Sequence, residues 1–350
     1  MSLAVRPPVA PMLARLVREL PAGTWHFEPK WDGFRALAFR DGGDVDLRSR
    51  HDRRFARYFP EVAEAVRALD VDVALDGELV VVREGRLDFA ALMARLHPAR
   101  SRVERLAREM PASFIAFDLL AIGDRDLRRA PFHERRAALE SLLRRPSAIW
   151  TTPATDDPAV ARGWLGRFRG NGVDGVVAKE PASVYQPGRR AMVKVKREET
   201  LDCVVAGLRF LADRPAVGSL LLGLHDGDRL LHVGVASQFS DADRRALVDA
   251  LRGLAVPIAG HPWERGFGLE RSPLGRLSGA AGRWTPGEMA LDWIPLRPVR
   301  VCEVACGPFD ARRLRHPARF VRWRPDREPC SCTFAQLEIG AADVGALLAG

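Results

Sequence analysis

Four lysines, Lys30, Lys179, Lys194 and Lys196, are the residues of this sequence best suited by type to covalent chemistry. Lysine and arginine together number 54, and subtracting the four lysines leaves 50 arginines. Arginine therefore fills nearly every generic cationic task, from surface charge to ion pairs. A lysine kept against that bias is a candidate for work arginine cannot do. A guanidinium stays protonated, whereas an amine becomes a nucleophile once its environment frees it.

Lys30 lies in the run Glu28-Pro-Lys-Trp-Asp-Gly-Phe-Arg35. Asp32, two residues on, could hold the ammonium form, orient the amine or reach a metal. Gly33 would let the backbone approach a phosphate, and Arg35 offers a two-pronged phosphate donor. The preceding segment Gly23–Pro29 reads as a strand, with Pro29 better suited to an edge or a strand end than to a centre. Trp31-Asp32-Gly33 then reads as a turn into an apolar strand at 34–40.

Companion segments follow. Residues 73–82 form a β-rich run with Asp76-Gly77-Glu78 read as a turn. Residues 114–124 are a second apolar strand, with Phe117-Asp118 in its middle. Residues 173–181 carry Asp174 and Lys179 around a short valine run. Met192–Arg197 alternates strictly, so Lys194 and Lys196 point to one face of one strand. Two lysines on one wall could hold a phosphate chain, while Glu78 and Asp174 offer hard oxygen ligands for magnesium.

In this order, Lys-Trp-Asp-Gly, Leu-Asp-Gly-Glu, Ala-Phe-Asp-Leu-Leu, Asp-Gly-Val-Val-Ala-Lys and Val-Lys-Val-Lys resemble motifs I, III, IIIa, IV and V of the covalent nucleotidyltransferases. These are the ATP-dependent DNA ligases, RNA ligases and mRNA capping enzymes. Residues 319–329 resemble motif VI. From end to end the chain most resembles the compact LigC group of bacterial ATP-dependent DNA ligases. That resemblance implies catalysis by Lys30, Asp32, Lys194 and Lys196, with Lys30 attacking the α-phosphate of ATP to give a lysyl-AMP. Lys194 and Lys196 would hold that phosphate. Glu28 would lie beside the adenine and Phe117 on its face, and Arg35 and Arg50 would contact phosphate or ribose. Glu78 would contact ribose or a metal-bound water, and Lys179, Arg324 and Arg327 would complete nucleotide binding. The metal would be magnesium, with manganese the alternative, held by Asp174 with Glu78 and Asp32. AMP would pass to the 5′-phosphate of a nick in double-stranded DNA, and the 3′-hydroxyl would displace it, in DNA repair. An RNA ligase, a capping guanylyltransferase, or an inactive nucleic-acid-binding protein of the same fold are the alternatives.

Two positions depart from the family pattern. Motif IV ordinarily opens with glutamate, and here it opens with the shorter Asp174. Motif VI ordinarily contains Arg-x-Asp-Lys, and here it reads Arg324-Pro325-Asp326-Arg327. A position that needs only a cation near pyrophosphate can use arginine.

The elements that must position these residues divide after Lys196. The chain has 350 residues, of which 47% are hydrophobic and 28% charged, enough apolar material for packed cores. At about 100 to 200 residues per domain, two domains are expected. Residues 1–199 mix strands with short helices at 58–69 and 88–97. From 200 to 350 the reading turns to strands: 202–210, a hairpin at 219–236, 293–306 and 319–324. One amphipathic helix follows Ser240 as N-cap. The fold class is thus α+β, and the resemblance makes it a nucleotidyltransferase (ATP-grasp-like) adenylation domain followed by a β-barrel OB-fold domain carrying motif VI. Net charge is +9, and residues 311–327 hold seven arginines against one acid, Asp326. Such a balance suits a polyanion partner. Trp284, Trp293 and Trp323 read as core residues more than as base-stacking platforms. The five cysteines lack metal-ligand spacing and read as reduced thiols packed as small hydrophobes. With no apolar run of membrane-spanning length and no leader pattern, a cytoplasmic, nucleoid-associated monomer of the minimal two-domain kind is expected. A gap-filling polymerase or other repair proteins are its expected partners.

Overall fold

The computed structural model describes residues 3–144, 148–168, 170–196, 199–211, 215–266, 293–307, 309–310, 312–337 and 342–349. Two compact units form, Met1–Arg197 with Ile339–Gly350, and Glu198–Glu338. A division at 199/200 with the second domain running to 350 differs from these units at the C-terminus. The helix Val344–Ala349 packs in the first unit, because Val344 and Leu348 join the core built around Phe27, Trp31, Val173 and Trp164.

The first unit holds strands β1 (Ala14–Val17), β2 (His26–Trp31), β3 (Phe34–Asp41), β4 (Asp44–Ser49), β5 (Val73–Arg83) and β6 (Arg86–Leu87). It continues with β7 (Ala112–Ile122), β8 (Arg125–Asp126), β9 (Ile149–Thr151), β10 (Val173–Lys179) and β11 (Met192–Lys196). One sheet runs β1-β11-β10-β2 and the other β4-β3-β5-β7-β8, with β6 on β5 and β9 on β7. Both faces of the second sheet are buried. Leu75, Leu79 and Val81 of β5 face the helices Pro60–Arg67 and Phe89–Ala94, while Ala74 and Val80 pack toward residues of the first sheet. Asp88 caps the helix Phe89–Ala94 by accepting from the Ala91 N–H at 2.8 Å.

Pro29 sits mid-strand in β2, but β2 is the edge of its sheet, where a missing N–H leaves no ladder bond unmade. Asp32 and Gly33 then carry the chain from the first sheet to the second. A side chain at Gly33 would meet the Leu79 carbonyl at 2.2 Å. Asp76-Gly77-Glu78 is not the turn that the Asp-Gly pair predicts. It lies inside the continuous strand β5, paired on both sides, with a register shift against β7 at Asp76/Gly77. Glycine is needed there because a Cβ would come within 2.5 Å of Ile115 O and the Phe114 ring. The requirement is close approach, not reversal.

The second unit is an antiparallel sheet in the order β14-β13-β12-β15-β18. Its strands are β12 (Glu199–Phe210), β13 (Val217–Asp226), β14 (Arg229–Ala236), β15 (Ile294–Cys306) and β18 (Arg319–Trp323), with a small ribbon of β16 (Phe309–Asp310) and β17 (Arg313–Leu314). The outer strands meet at one bridge, Ala236 to Ala318, so the sheet curls into a half-barrel closed at one point. With the helix Asp241–Leu251, capped by Ser240 and Asp243 in a capping box, this is the OB-type architecture expected. The predicted hairpin turns at Gly227-Asp228, with Gly227 at φ +58°. Trp293 and Trp323 pack on the apolar core, and Trp284 lies outside the described residues. All five cysteines are free, with Cys203, Cys302 and Cys332 buried. Among the described residues, no helix is long and apolar enough to cross a membrane.

Candidate active site

Lys30 and Lys196 reach one carboxylate. Lys30 projects from the edge strand β2, and β10 pairs with both β2 and β11, which places Asp174 between them. Lys30 Nζ lies 2.7 Å from Asp174 Oδ1, and Lys196 Nζ donates to Asp174 Oδ2 at 2.8 Å. Burial pulls the Lys30 ammonium toward the free amine, but the charge and hydrogen bond of Asp174, with the charges of Glu78 and Asp32, outweigh it and raise its pKa. Burial pushes the Asp174 carboxyl upward, and the two lysines bring it below the usual range. Lys194, two residues before Lys196 on the same face, has its pKa lowered by burial and then by the charges of Lys30 and Lys196.

Lys30 and Lys194 border a pocket of about 240 Å³ between the two sheets of the first unit. Glu28, Lys30, Arg35, Arg50, Glu78, Phe117, Lys179 and Lys194, all singled out in the sequence, line it. At its floor Lys179 is buried, 2.8 Å from Glu28 Oε2, and donates to the Phe117 carbonyl at 2.8 Å. Its ammonium also lies 4.9 Å from the Phe117 ring centre and 4.6 Å from that of Phe132. Glu28 Oε1 is buried with no hydrogen-bond partner, though Arg136 Nη1 stands 3.5 Å away. A buried acceptor left open beside an aromatic face suits a ligand that brings its own N–H donor.

Arg35 is less free than a phosphate-binding role would suggest. Its Nε and Nη2 grip Asp76 at 2.5 and 2.6 Å, and its guanidinium lies 4.4 Å from the Phe117 ring centre. Asp76 is fully buried and also accepts from the Tyr185 hydroxyl at 2.6 Å, while the Met12 N–H donates to that hydroxyl at 3.0 Å. Tyr185 thus ties the Pro11–Ala14 rim of the pocket to the pair that backs Phe117. Sequence reasoning missed Tyr185, whose local pattern carries no mark, and named Asp76 only as part of a turn without its pairing to Arg35 and Tyr185. It also missed Arg190, which lines the pocket and sits in a Gly-Arg-Arg run just before β11. That run was a usable signal.

Glu78, from β5, accepts the Gly33 N–H at 3.2 Å. Burial raises its pKa to about 7, against the opposing charges of Lys30 and Arg35. Asp32 donates its backbone N–H to Gly172 O at 3.0 Å, and its charge reaches both Lys30 and Glu78. No cluster of three or more metal-ligating side chains exists among the described residues. The donor set instead fits magnesium as phosphate-bearing substrates bring it, on one or two carboxylates with the remaining ligands from phosphate and water.

Arg324 and Arg327 lie in the second unit. Arg324 Nη1 donates to both oxygens of Asp202 at 3.0 Å, and its Nη2 to Asp326 Oδ2 at 2.8 Å. Arg327 Nε stands 3.3 Å from Asp202 Oδ2.

Residues 8–196 match the family described as "ATP dependent DNA ligase domain", and residues 213–327 match "ATP dependent DNA ligase C terminal region". The chain is 50% identical over 343 residues to DNA ligase C2 of Mycolicibacterium smegmatis, covering 97% of this chain and 96% of that protein. It is 48% identical over 348 residues to DNA ligase C of Mycobacterium tuberculosis, with the same coverage. A solved structure from a structure-function study of Lig E DNA ligases shares the fold with TM-score 0.51 at 18% identity, over 89% of this chain and 99% of that one.

Proposed function

We propose, from the premise that the chain belongs to the ATP-dependent DNA ligases, that it seals nicks through a covalent adenylate on Lys30 and then an adenylated 5′-phosphate. The observation that carries this reading is the lysine cluster. Lys30 and Lys196 share Asp174, and Lys194, without an ion-pair partner among the described residues, lines the pocket beside Phe117. A triphosphate brings the negative charge this cluster lacks, and its base would lie between Phe117 and the Glu28–Lys179 floor.

Lys30 is an ammonium while Asp174 holds it, and attack on the α-phosphorus needs the free amine. Asp174 must therefore release Lys30. Lys196 already occupies its other oxygen, and once the pair opens, burial is the largest influence left on Lys30 and favours the neutral form. Lys194 and Lys196 then hold the α-phosphate while negative charge builds on it, the usual mode of catalysis for phosphoryl transfer. Magnesium, bound through Asp174 with Glu78 and Asp32 near, would screen phosphate charge and orient the leaving pyrophosphate. After transfer of AMP to a 5′-phosphate, the 3′-hydroxyl displaces it. Such a nick is what remains once a gap has been filled, so a polymerase acts upstream and the activity belongs to DNA repair.

The test is incubation of the full chain, first stripped with pyrophosphate, with α-labelled ATP or GTP and magnesium, followed by denaturing electrophoresis. Covalent label from ATP, absent in Lys30→Ala and discharged on sealing nicked DNA, is the expected result. Label from GTP, or transfer only to RNA ends, would overturn it.

A further inference from the structure

Three of the four lysines are held by carboxylates. Lys30 and Lys196 share Asp174 at 2.7 and 2.8 Å, and the buried Lys179 lies 2.8 Å from Glu28. Lys194 is the exception. Among the described residues it makes no hydrogen bond and no ion pair. It is half-buried at the pocket wall, held by β11 between Leu16 of β1 and Val177 of β10, so the strand fixes the face from which its side chain enters the pocket. Burial and the neighbouring charges of Lys30, Lys196 and Arg50 all push it toward the free amine, and only Asp174 opposes them. An amine with no carboxylate on it, biased toward its neutral form and open to the pocket, meets the conditions for a nucleophilic lysine.

We propose that Lys194 is the site at which small acyl phosphates modify this protein, and that its acylation switches off the nucleotide pocket. The donor class follows from the surroundings. Lys30, Arg50 and Arg190 border the same space, so the dianionic phosphate of an acyl phosphate is drawn in beside the Lys194 amine. The amine nitrogen attacks the carbonyl carbon, and a C–N bond forms. The C–O bond to phosphate breaks, and inorganic phosphate leaves with the bonding electron pair. The amine proton passes to phosphate or water. The product is a neutral amide, so the cluster loses its unpaired cation and gains bulk where a nucleotide phosphate would lie. The loss of activity, though not the modification, rests on the ATP reading above.

The composition sharpens the idea. With only four lysines, few amines compete: the exposed Lys196, which sits on Asp174, and the chain's own amino group. The other three lysines are each held against a carboxylate, Lys30 and Lys196 on Asp174 and Lys179 on Glu28.

The experiment treats the pyrophosphate-stripped full chain with isotope-labelled acetyl phosphate and quantifies each acetyl site by mass spectrometry after chymotryptic cleavage. Lys194 is expected to acetylate at least about tenfold faster than Lys30, Lys179 or Lys196, because its amine alone among them is not engaged by a carboxylate. Inorganic phosphate should slow the reaction, and adenylation should fall in step with Lys194 occupancy. Lys194→Arg should leave the three other lysines unacetylated. Acetylation led by Lys196 or Lys30, or a Lys194 rate indifferent to phosphate, would overturn the proposal. Phosphate-sensitive acetylation of Lys194 that ATP does not slow would keep this site and remove the ATP reading instead, so the two failures are distinguishable.

Discussion

Two clusters in this molecule join cations to carboxylates, and their charge balances differ. In the first unit Asp174 serves both Lys30 and Lys196, while Lys194 has no partner among the described residues. In the second unit Arg322, Arg324 and Arg327 meet Asp202, Glu303 and Asp326, three cations against three acids. The lysine cluster holds surplus positive charge inside a pocket, which only an anion from outside can neutralise. The arginine cluster is neutral within itself. Its two carboxylates nearest Arg324 also differ, since Asp202 is 12% exposed and Asp326 is 58% exposed. Arg324 lowers the Asp326 pKa to about 2, yet a pair so exposed is screened by water and readily exchanged for another anion. Motif VI is thus stored on its own acids, while the lysine site stands open to its substrate.

The largest effect should come from Lys30→Arg. The charge and the contact with Asp174 remain while the nucleophile is lost, so labelling from ATP should fall by at least about 1,000-fold with little change in thermal midpoint. Covalent adenylate on the arginine variant would break the comparison at its root. Asp174→Asn should rank second, with an adenylation loss of about 100-fold from lost charge stabilisation. The pH profile carries the sharper reading. Asp174 is the main group that raises the Lys30 pKa, so without it burial prevails and the amine deprotonates at lower pH. The acid limb of the residual activity should therefore move down. An upward shift would mean that Asp174 is not what holds the Lys30 proton.

Much of this site was legible because rare residue types mark it. Four lysines among 54 cations, each inside a short pattern, pointed to the pocket before any fold was known. The strict alternation at 192–196 placed Lys194 and Lys196 on one wall, and Pro29 correctly signalled an edge. Asp-Gly at 76–77 misled, because the same dipeptide serves a reversal and a tight strand crossing, and only the neighbouring Phe114 ring decides between them. The pairing of Tyr185 with Asp76 stayed hidden for a different reason: it spans 109 positions. Chain order puts the last residues, up to 350, in the second domain, but the helix Val344–Ala349 takes its place in the fold from Val344 and Leu348.

Glu78→Gln tests the lysine site through stability. Burial raises the Glu78 pKa from an ordinary 4.5 to about 7, so the folded state takes up a proton there more readily than the unfolded chain. That contribution is fully present below about pH 4.5 and is lost as pH rises through 7, where the buried carboxylate must ionise. Glutamine imitates the protonated form at every pH. The variant should gain about 1 to 3 kcal/mol over the parent at pH 8 and little at pH 4.5, read from denaturant midpoints. An equal gain at both pH values would place its effect in packing, not in ionisation.

The smallest effect expected is that of Arg327→Lys, and it bears on why one cluster uses lysine and the other arginine. Arg327 touches Asp202 through one nitrogen at 3.3 Å, outside the tighter grip that Arg324 has on the same carboxylate. A lysine there keeps the charge and loses a contact worth about half a kcal/mol at such exposure. If the position needs only a cation, adenylation should stay within about threefold of the parent, because either side chain delivers the same charge to a phosphate. The same exchange run in reverse at Lys30 should cost the far larger loss expected there, because the nucleophile goes. A loss at 327 as deep as the loss at 30 would mean that arginine does there what lysine cannot, by a forked contact that a point charge does not reproduce. The shortage of lysine would then reflect selection for arginine geometry in motif VI, and not the mere sufficiency of positive charge.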